Sequence, residues 1–204
     1  ESVRRRGGAS VEVVLHGENY DEAYAAARPR SEARGATFVH AFDDEAVIAG
    51  QGTIGLEMLR QNPSLEAIVV PVGGGGLVSG LACAVKALNP AVEVVGVQTA
   101  RLPSMQAGLD RGEPVTLDAK STLADGIAVR RTGTVTLPLV REYVDRLVTV
   151  EEEEIAAAIL VLLEREKTLA EGAGAAGLAA VLHGKTGHRG KKIGVLISGG
   201  NLDV

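Results

Sequence analysis

This sequence has few aromatic residues, one cysteine and no excess of positive charge. Phe, Trp and Tyr make up 2% of the 204 residues and Trp is absent, so a hydrophobic core must be built from Ala, Val, Leu and Ile. The single cysteine, Cys83, excludes an internal disulfide framework and any metal site made of several cysteines. The net charge of −5 and the scarcity of base-stacking aromatics argue against a nucleic-acid partner.

Residues 67–85 carry no charged side chain and are long enough to be compared with a membrane helix. Pro71, four consecutive glycines and Gly80 lie within them, which makes a poor membrane helix. No segment resembles a signal peptide. We therefore expect a cytoplasmic protein without a membrane partner.

The same stretch carries the strongest structural signal. The apolar residues 67–72 predict a buried strand, the glycines at 73–76 a turn, and the small residues at 77–88 a helix. Glycines allow positive φ angles and leave no Cβ to obstruct an approaching ligand. Free amides and the helix dipole at a helix N-terminus favour an anion, so the pattern predicts a site for a phosphate or a similar group.

Two other interpretations of this turn stay open. A dinucleotide-binding fingerprint needs a glycine where Val78 or Ser79 stands, and an acidic residue where the next strand ends at Gln98. A tight turn without a ligand needs only two of the glycines, and each extra one costs about 1 kcal/mol of backbone entropy.

Apolar runs alternate with helical patterns along the chain. Strands are predicted over residues 11–15, 37–39, 67–72, 93–97, 147–150 and 193–197. Helices are predicted over residues 23–27 with an interruption at Pro29, 51–60 with a start near Asp43 and Asp44, 77–88, 104–109, 137–144, from 151 onward, and 172–182. This alternation indicates an α/β fold, a three-layer sandwich with a mostly parallel sheet and helices on both faces. The glycine-rich turns at 73–76 and 198–201 both follow strands, so we expect them on one edge of the sheet, facing one ligand.

Six segments together resemble a known enzyme family. They are VEVVLHGENYDEA (11–23), VIAGQGTIGLEML (47–59), VVPVGGGGLVSGLA (69–82), TLADGIAV (122–129), LAEGAGAAGLAAVL (169–182) and LISGGNLD (196–203). Their order resembles that of the threonine and serine dehydratases, pyridoxal-phosphate enzymes of fold-type II with a tryptophan synthase β-like fold. Serine racemase is a relative, and the biodegradative threonine dehydratases look most similar.

The resemblance implies pyridoxal 5'-phosphate as the cofactor. Its phosphate would be bound by the amides of Gly73, Gly74, Gly75, Gly76 and Leu77. Ser198 would donate a hydrogen bond to the pyridine nitrogen, unless the turn backbone satisfies its hydroxyl. A hydroxyl is too weakly acidic to protonate that nitrogen, so the ring would be a modest electron sink, which suits elimination of a β-leaving group.

Three further residues have two interpretations each. Phe42 either lines the pocket entrance, as the resemblance implies, or is an ordinary core aromatic. Glu171 either lies near the cofactor ring or caps the helix over 172–182. Asp125 is either a pocket residue or part of an Asp-Gly turn.

Two features of the family are missing. Its Schiff-base lysine lies in an S-x-K-x-R-G-A segment, upstream of all the matched segments, and an S-x-G-N-H loop binds the substrate carboxylate. None of the six lysines has this context: Lys86, Lys120, Lys167, Lys185, Lys191 and Lys192. The resemblance thus implies that residues 1–35 end the small domain, that residues 36–204 form the large cofactor-binding domain, and that this chain has no catalytic residue and is inactive alone.

Some relatives bind a divalent cation through a Glu and an Asp six residues later. The corresponding positions hold Gln98 and Ser104, which removes two carboxylates, so we expect no metal site there.

The implied reaction is the dehydration and deamination of a small amino acid, L-threonine or L-serine, to a 2-oxo acid and ammonia in a homo-oligomer, a dimer or tetramer. Two alternatives stay open. One is a non-catalytic protein or subunit of the same fold that binds a phosphate ligand, and the other is a racemase or β-replacement enzyme.

Overall fold

The computed structural model describes residues 2–17 and 20–201 of the chain. The chain divides into two compact units, Glu1–Val39 and His40–Val204. The break thus follows residue 39, whereas the predicted boundary follows residue 35. The assignment of these parts to a small and a large domain stays a prediction.

Helical elements make up the regular structure described in the first unit. They are α1 (Ser2–Gly7), a 3-10 turn (Gly8–Ser10) and α2 (Tyr20–Ala33). α2 continues through Pro29, where the sequence predicted an interruption, at the cost of the hydrogen bond that a proline nitrogen cannot donate. Glu12 forms ion pairs with Arg30 at 2.5 Å and Arg34 at 2.6 Å, which tie the end of α2 to the segment before it.

The strands predicted over residues 11–15 and 37–39 are wrong. Residues 11–16 and 36–40 have no regular secondary structure, and no strand in the described ranges pairs with them. Leu15 is 82% exposed and Val39 is 67% exposed, so neither segment buries an apolar face within these ranges. A short apolar segment forms a strand only where a neighbouring strand takes up its hydrogen bonds.

The second unit contains the sheet. Its elements are α3 (Glu45–Gln61), β1 (Ala67–Pro71), α4 (Gly76–Leu88), β2 (Glu93–Thr99), α5 (Ser104–Arg111), α6 (Thr136–Tyr143), β3 (Arg146–Val150), α7 (Glu152–Val161), α8 (Gly172–Leu182) and β4 (Ile193–Val195). The strands lie in the order β3-β2-β1-β4, and each neighbouring pair is parallel. The predicted parallel α/β sheet is confirmed.

Helices cover both faces of this sheet, because successive side chains of its strands alternate between two cores. Ile68 and Val70 pack with residues of α3, α4, α5 and α6, whereas Val69 packs with residues of α7 and α8. Every residue of β1 is buried, as expected for a central parallel strand. The predicted three-layer sandwich is therefore confirmed.

Across the described ranges, each helix is too short or too polar to span a membrane.

Candidate active site

A run of glycines links the end of β1 to the start of α4. Gly75 adopts the left-handed region with φ 99° directly before the helix, a conformation that favours glycine. Gly74, Gly75 and Gly76 are buried. Within residues 2–17 and 20–201, the amides of residues 73–78 donate no hydrogen bond. Unpaired amides at a helix N-terminus favour an anion.

Protein atoms fill the positions that side chains at this turn would occupy. A Cβ on Gly74 would lie 2.5 Å from the Phe42 ring, and a Cβ on Gly75 would lie 2.5 Å from Cε of Met105. A Cβ on Gly76 would lie 2.8 Å from the Phe42 carbonyl oxygen. The expectation that the missing Cβ atoms leave room for a ligand is therefore wrong at these three positions. Packing requires the glycines, and a ligand would meet their amides.

Phe42 lies directly against the glycine turn. Its half-buried ring lies next to the position that a Cβ on Gly74 would take. The ring also packs edge to face on His40, with ring centroids 4.6 Å apart. Phe42 thus helps to shape the turn. A contact between Phe42 and a ligand stays a prediction.

Two consecutive aspartates have different roles. Asp44 caps α3 by accepting hydrogen bonds from the amides of Ala46 and Val47, which confirms it as a helix start. Asp43 instead binds the segment that leads into α6. Its carboxylate accepts from the amides of residues 134, 135 and 136 and from the Thr134 hydroxyl, at 2.9–3.1 Å. Burial raises the pKa of Asp43, but these hydrogen bonds lower it more, so the pKa lies below its ordinary value.

Thr136 connects this aspartate to the glycine turn. Its amide donates to Asp43, and its hydroxyl donates to the Gly74 carbonyl oxygen at 2.6 Å. Thr136 is fully buried. Sequence reasoning missed both roles, because the hydroxyl and its acceptor are 62 residues apart and no short motif joins them.

The second glycine-rich turn leaves the sheet beside the first. β4 pairs with β1 in parallel, and the Leu196 amide extends this pairing by donating to the Val69 carbonyl at 3.0 Å. Because both strands end at the same edge, the turns at residues 73–76 and 198–201 emerge from neighbouring strands. The Ser198 side chain is exposed. It makes no hydrogen bond to the turn backbone within the described part of the chain.

Glu171 holds this second turn. Its carboxylate accepts from the Asn201 amide at 2.8 Å, and its own amide donates to the Gly199 carbonyl at 3.1 Å. Glu171 occupies the N-cap position of α8, but its side chain makes no capping hydrogen bond. Glu171 thus stands where the capping interpretation placed it, but its side chain holds the second turn and not the helix; a position near the cofactor ring stays a prediction.

A third loop at this edge contains Asp125. This exposed side chain accepts from the Gly126 amide at 2.8 Å, as the Asp-Gly turn interpretation expects. Glu152, which the sequence did not single out, holds the loop by accepting from the Leu123 amide and the Thr122 hydroxyl, each at 2.6 Å. Burial raises the pKa of Glu152, but these bonds lower it more, so the pKa lies below its ordinary value.

Gln98 and Ser104, at the positions where we expected no metal site, each make a hydrogen bond within the protein, although Nε2 of Gln98 is buried without a hydrogen-bond partner among the described residues. Gln98 accepts from the Gln106 amide at 2.9 Å, and the Ser104 hydroxyl donates to the Val129 carbonyl at 2.6 Å.

Comparison with known proteins shows the family. Residues 4–199 match the model of the family described as pyridoxal-phosphate dependent enzyme, and the chain belongs to this family. It is 57% identical over 194 residues to the L-threonine ammonia-lyase of Thermotoga maritima, covering 95% of this chain and 48% of that protein. It is 44% identical to the L-threonine dehydratase catabolic TdcB of Escherichia coli strain K12, covering 96% of this chain and 60% of that protein.

A solved structure agrees with these relatives. The threonine deaminase of T.th. superposes with a TM-score of 0.89 at 40% identity, covering 97% of this chain and 66% of that chain. The fold is thus that of a fold-type II pyridoxal-phosphate enzyme. The chain spans about half the length of the first of these relatives.

Proposed function

We propose that this chain forms the cofactor-binding part of a pyridoxal-phosphate-dependent ammonia-lyase, which converts L-threonine, and also L-serine, to a 2-oxo acid and ammonia. The observation that carries the proposal is the row of amides at residues 73–78, at the start of α4, that donate no hydrogen bond within the described residues. The turn that bears Ser198 leaves the neighbouring strand at the same edge. The names of the relatives support the substrate class.

The glycine turn fits the phosphate of the cofactor. In the proposal, the phosphate accepts hydrogen bonds from the amides of Gly73, Gly74, Gly75, Gly76 and Leu77. The first turn of α4 contains no acidic residue, so no like charge opposes the anion there. The positive end of the helix dipole adds to this attraction.

The second turn would orient the cofactor ring. Ser198 donates a hydrogen bond to the pyridine nitrogen, and Glu171 fixes the backbone around Ser198 through its bond to the Asn201 amide. Bound pyridoxal phosphate supplies the electron sink for negative charge at the α-carbon of the substrate. A neutral hydroxyl leaves that sink modest, which favours loss of the β-hydroxyl group.

The proposal predicts that the 204-residue chain alone releases no 2-oxobutanoate from L-threonine. No lysine in it has the family context, and a positioned base contributes roughly 10²- to 10⁴-fold to the rate. The measurement is the release of 2-oxobutanoate and ammonia from L-threonine by this chain and by the complete protein that contains it.

Turnover by the chain alone, at rates typical of enzymes, would show that the catalytic base lies within these residues. Conversion of L-serine to D-serine by the complete protein, without ammonia, would show that the reaction is racemisation. A homo-oligomeric assembly and a cytoplasmic location stay predictions.

A further inference from the structure

Both oxygens of the Asp43 carboxylate are engaged by the start of α6. Oδ1 accepts from the amides of Val135 and Thr136, at 2.9 Å and 3.1 Å. Oδ2 accepts from the amide and the hydroxyl of Thr134, at 2.9 Å and 3.1 Å. A Cβ on Gly133 would collide with Oδ1, so the chain passes as close to the carboxylate as a glycine allows. Asp43 therefore fixes where α6 begins.

The position of Thr136 fixes one peptide group of the glycine turn. Its hydroxyl donates to the Gly74 carbonyl oxygen at 2.6 Å. The peptide bond between Gly74 and Gly75 is trans, so the Gly74 carbonyl and the Gly75 amide point in opposite directions. A hydroxyl that holds the carbonyl toward α6 therefore holds the amide away from α6.

This peptide group is one that the sequence leaves free to rotate. Glycines stand on both sides of it, and glycine reaches positive and negative φ with similar ease. The observed φ of 99° at Gly75 is thus one of several conformations open to the turn. The hydrogen bond from Thr136 favours the observed conformation.

We infer that Asp43 and Thr136 are positioning residues for the cofactor phosphate: Asp43 places α6, and Thr136 turns the Gly75 amide toward the ligand. The inference rests on the proposed function, since it assumes that the glycine turn binds the phosphate. Both act through the orientation of one amide.

The test is a titration of the complete protein that contains this chain with pyridoxal 5'-phosphate. Thr136→Val keeps the shape of the side chain and removes the hydroxyl, and we expect about 3- to 10-fold weaker cofactor binding from the loss of one oriented hydrogen bond. Thr136→Ser returns the hydroxyl and should restore binding. Asp43→Asn, which reaches the glycine turn indirectly through the start of α6 and Thr136, should weaken binding by a smaller factor.

Ser79→Ala is the matched control. The Ser79 hydroxyl donates to the Thr136 carbonyl at 3.4 Å and does not reach Gly74. The Ser79→Ala substitution therefore removes a buried hydroxyl that contacts Thr136. It leaves the hydrogen bond from the Thr136 hydroxyl to the Gly74 carbonyl in place. We expect binding close to that of the parent. The phosphorus NMR shift of bound cofactor gives a second readout, which should change in Thr136→Val and not in Ser79→Ala.

The outcomes separate the two proposals. If the parent protein binds no pyridoxal phosphate, the proposed function fails. If the parent binds it, and Thr136→Val and Asp43→Asn bind as tightly as Ser79→Ala, the positioning role is wrong. Weak binding by Thr136→Ser would also overturn it, because the restored hydroxyl would then have no effect. If Thr136→Val does not fold, Asp43→Asn and Thr136→Ser decide the question.

Discussion

The two ends of the parallel sheet use carboxylates in different ways. At the amino ends of the strands, carboxylates pair with side-chain cations: Glu93 with Arg146 at 2.6 Å, and Asp145 with Lys86 at 2.7 Å. Asp145 also accepts from the Val94 amide at 2.6 Å. At the carboxyl ends, Asp43, Glu152 and Glu171 accept backbone amides of loops without a side-chain ion pair in the described part of the chain. Among the described residues, no cation lies within ion-pair distance of these three.

The difference matches what each end has to do. An ion pair ties two side chains together but leaves the backbone between them free to choose its conformation. A carboxylate that accepts several amides fixes the backbone itself, and amides also offset its negative charge. The loops at the carboxyl end would have to present amides to an anion. The amino end shows ion pairs between chain segments, which contribute to stability.

The largest expected effect comes from Gly75→Ala. This substitution tests whether the carboxyl end of the sheet depends on the backbone geometry of the glycine turn. The new Cβ would lie 2.5 Å from Cε of Met105 and 2.9 Å from Cβ of Thr136, at a positive φ. We expect a loss of about 3 kcal/mol in the free energy of unfolding, measured by urea denaturation without cofactor.

Gly50→Ala is the control for this change. Gly50 is an exposed residue of α3 with open space where its Cβ would lie. Alanine there should stabilise the protein by about 0.5–1 kcal/mol. Equal effects of the two substitutions would contradict the special role of the turn.

A smaller effect is expected at the amino end, from Glu93→Gln. Burial raises the pKa of Glu93, but the hydrogen bonds from His188 and Arg146 lower it more, so the pKa lies below its ordinary value. A lowered pKa contributes stability above the pKa of the unfolded chain, near 4.5. That stability is lost as the pH falls through the folded pKa.

Glu93→Gln should therefore cost about 1 kcal/mol at pH 7 and make the loss of stability below pH 5 less steep. Urea denaturation of parent and variant from about pH 7 to pH 3 measures both changes. A parallel fall of the two curves would show that Glu93 does not contribute to the acid sensitivity.

Local signals in the sequence predicted most of this architecture. Consecutive residues are enough to indicate the buried run at 67–72, the glycine turn and the apolar helix over 172–182. Accordingly, β1 and α8 lie where they were expected. The strand predicted over 11–15 failed because pairing is not a local property. The apolar residues of this segment carry no information about whether a partner strand exists.

The support of the candidate site was not predictable in this way. The Asp43 side chain suggested a helix start nearby, but its carboxylate accepts from amides 91 to 93 residues away. Thr136 and Glu152 are common residue types without a motif around them. Their roles follow only from the fold, which brings the ends of several loops to one edge of the sheet.

The smallest effect is expected for Ser198→Ala, which asks what the second turn contributes besides its backbone. The Ser198 side chain is exposed and supports no other residue described here, so the free energy of unfolding without cofactor should stay within about 0.5 kcal/mol of the parent value. In the complete protein, the change removes one hydrogen bond to a neutral nitrogen, worth about 0.5–1.5 kcal/mol. Pyridoxal phosphate should stay bound, while its absorbance spectrum and the turnover of L-threonine change. An unchanged spectrum would mean that the ring nitrogen has a different partner, whereas loss of the cofactor would mean that this turn contributes more to binding than one hydroxyl can.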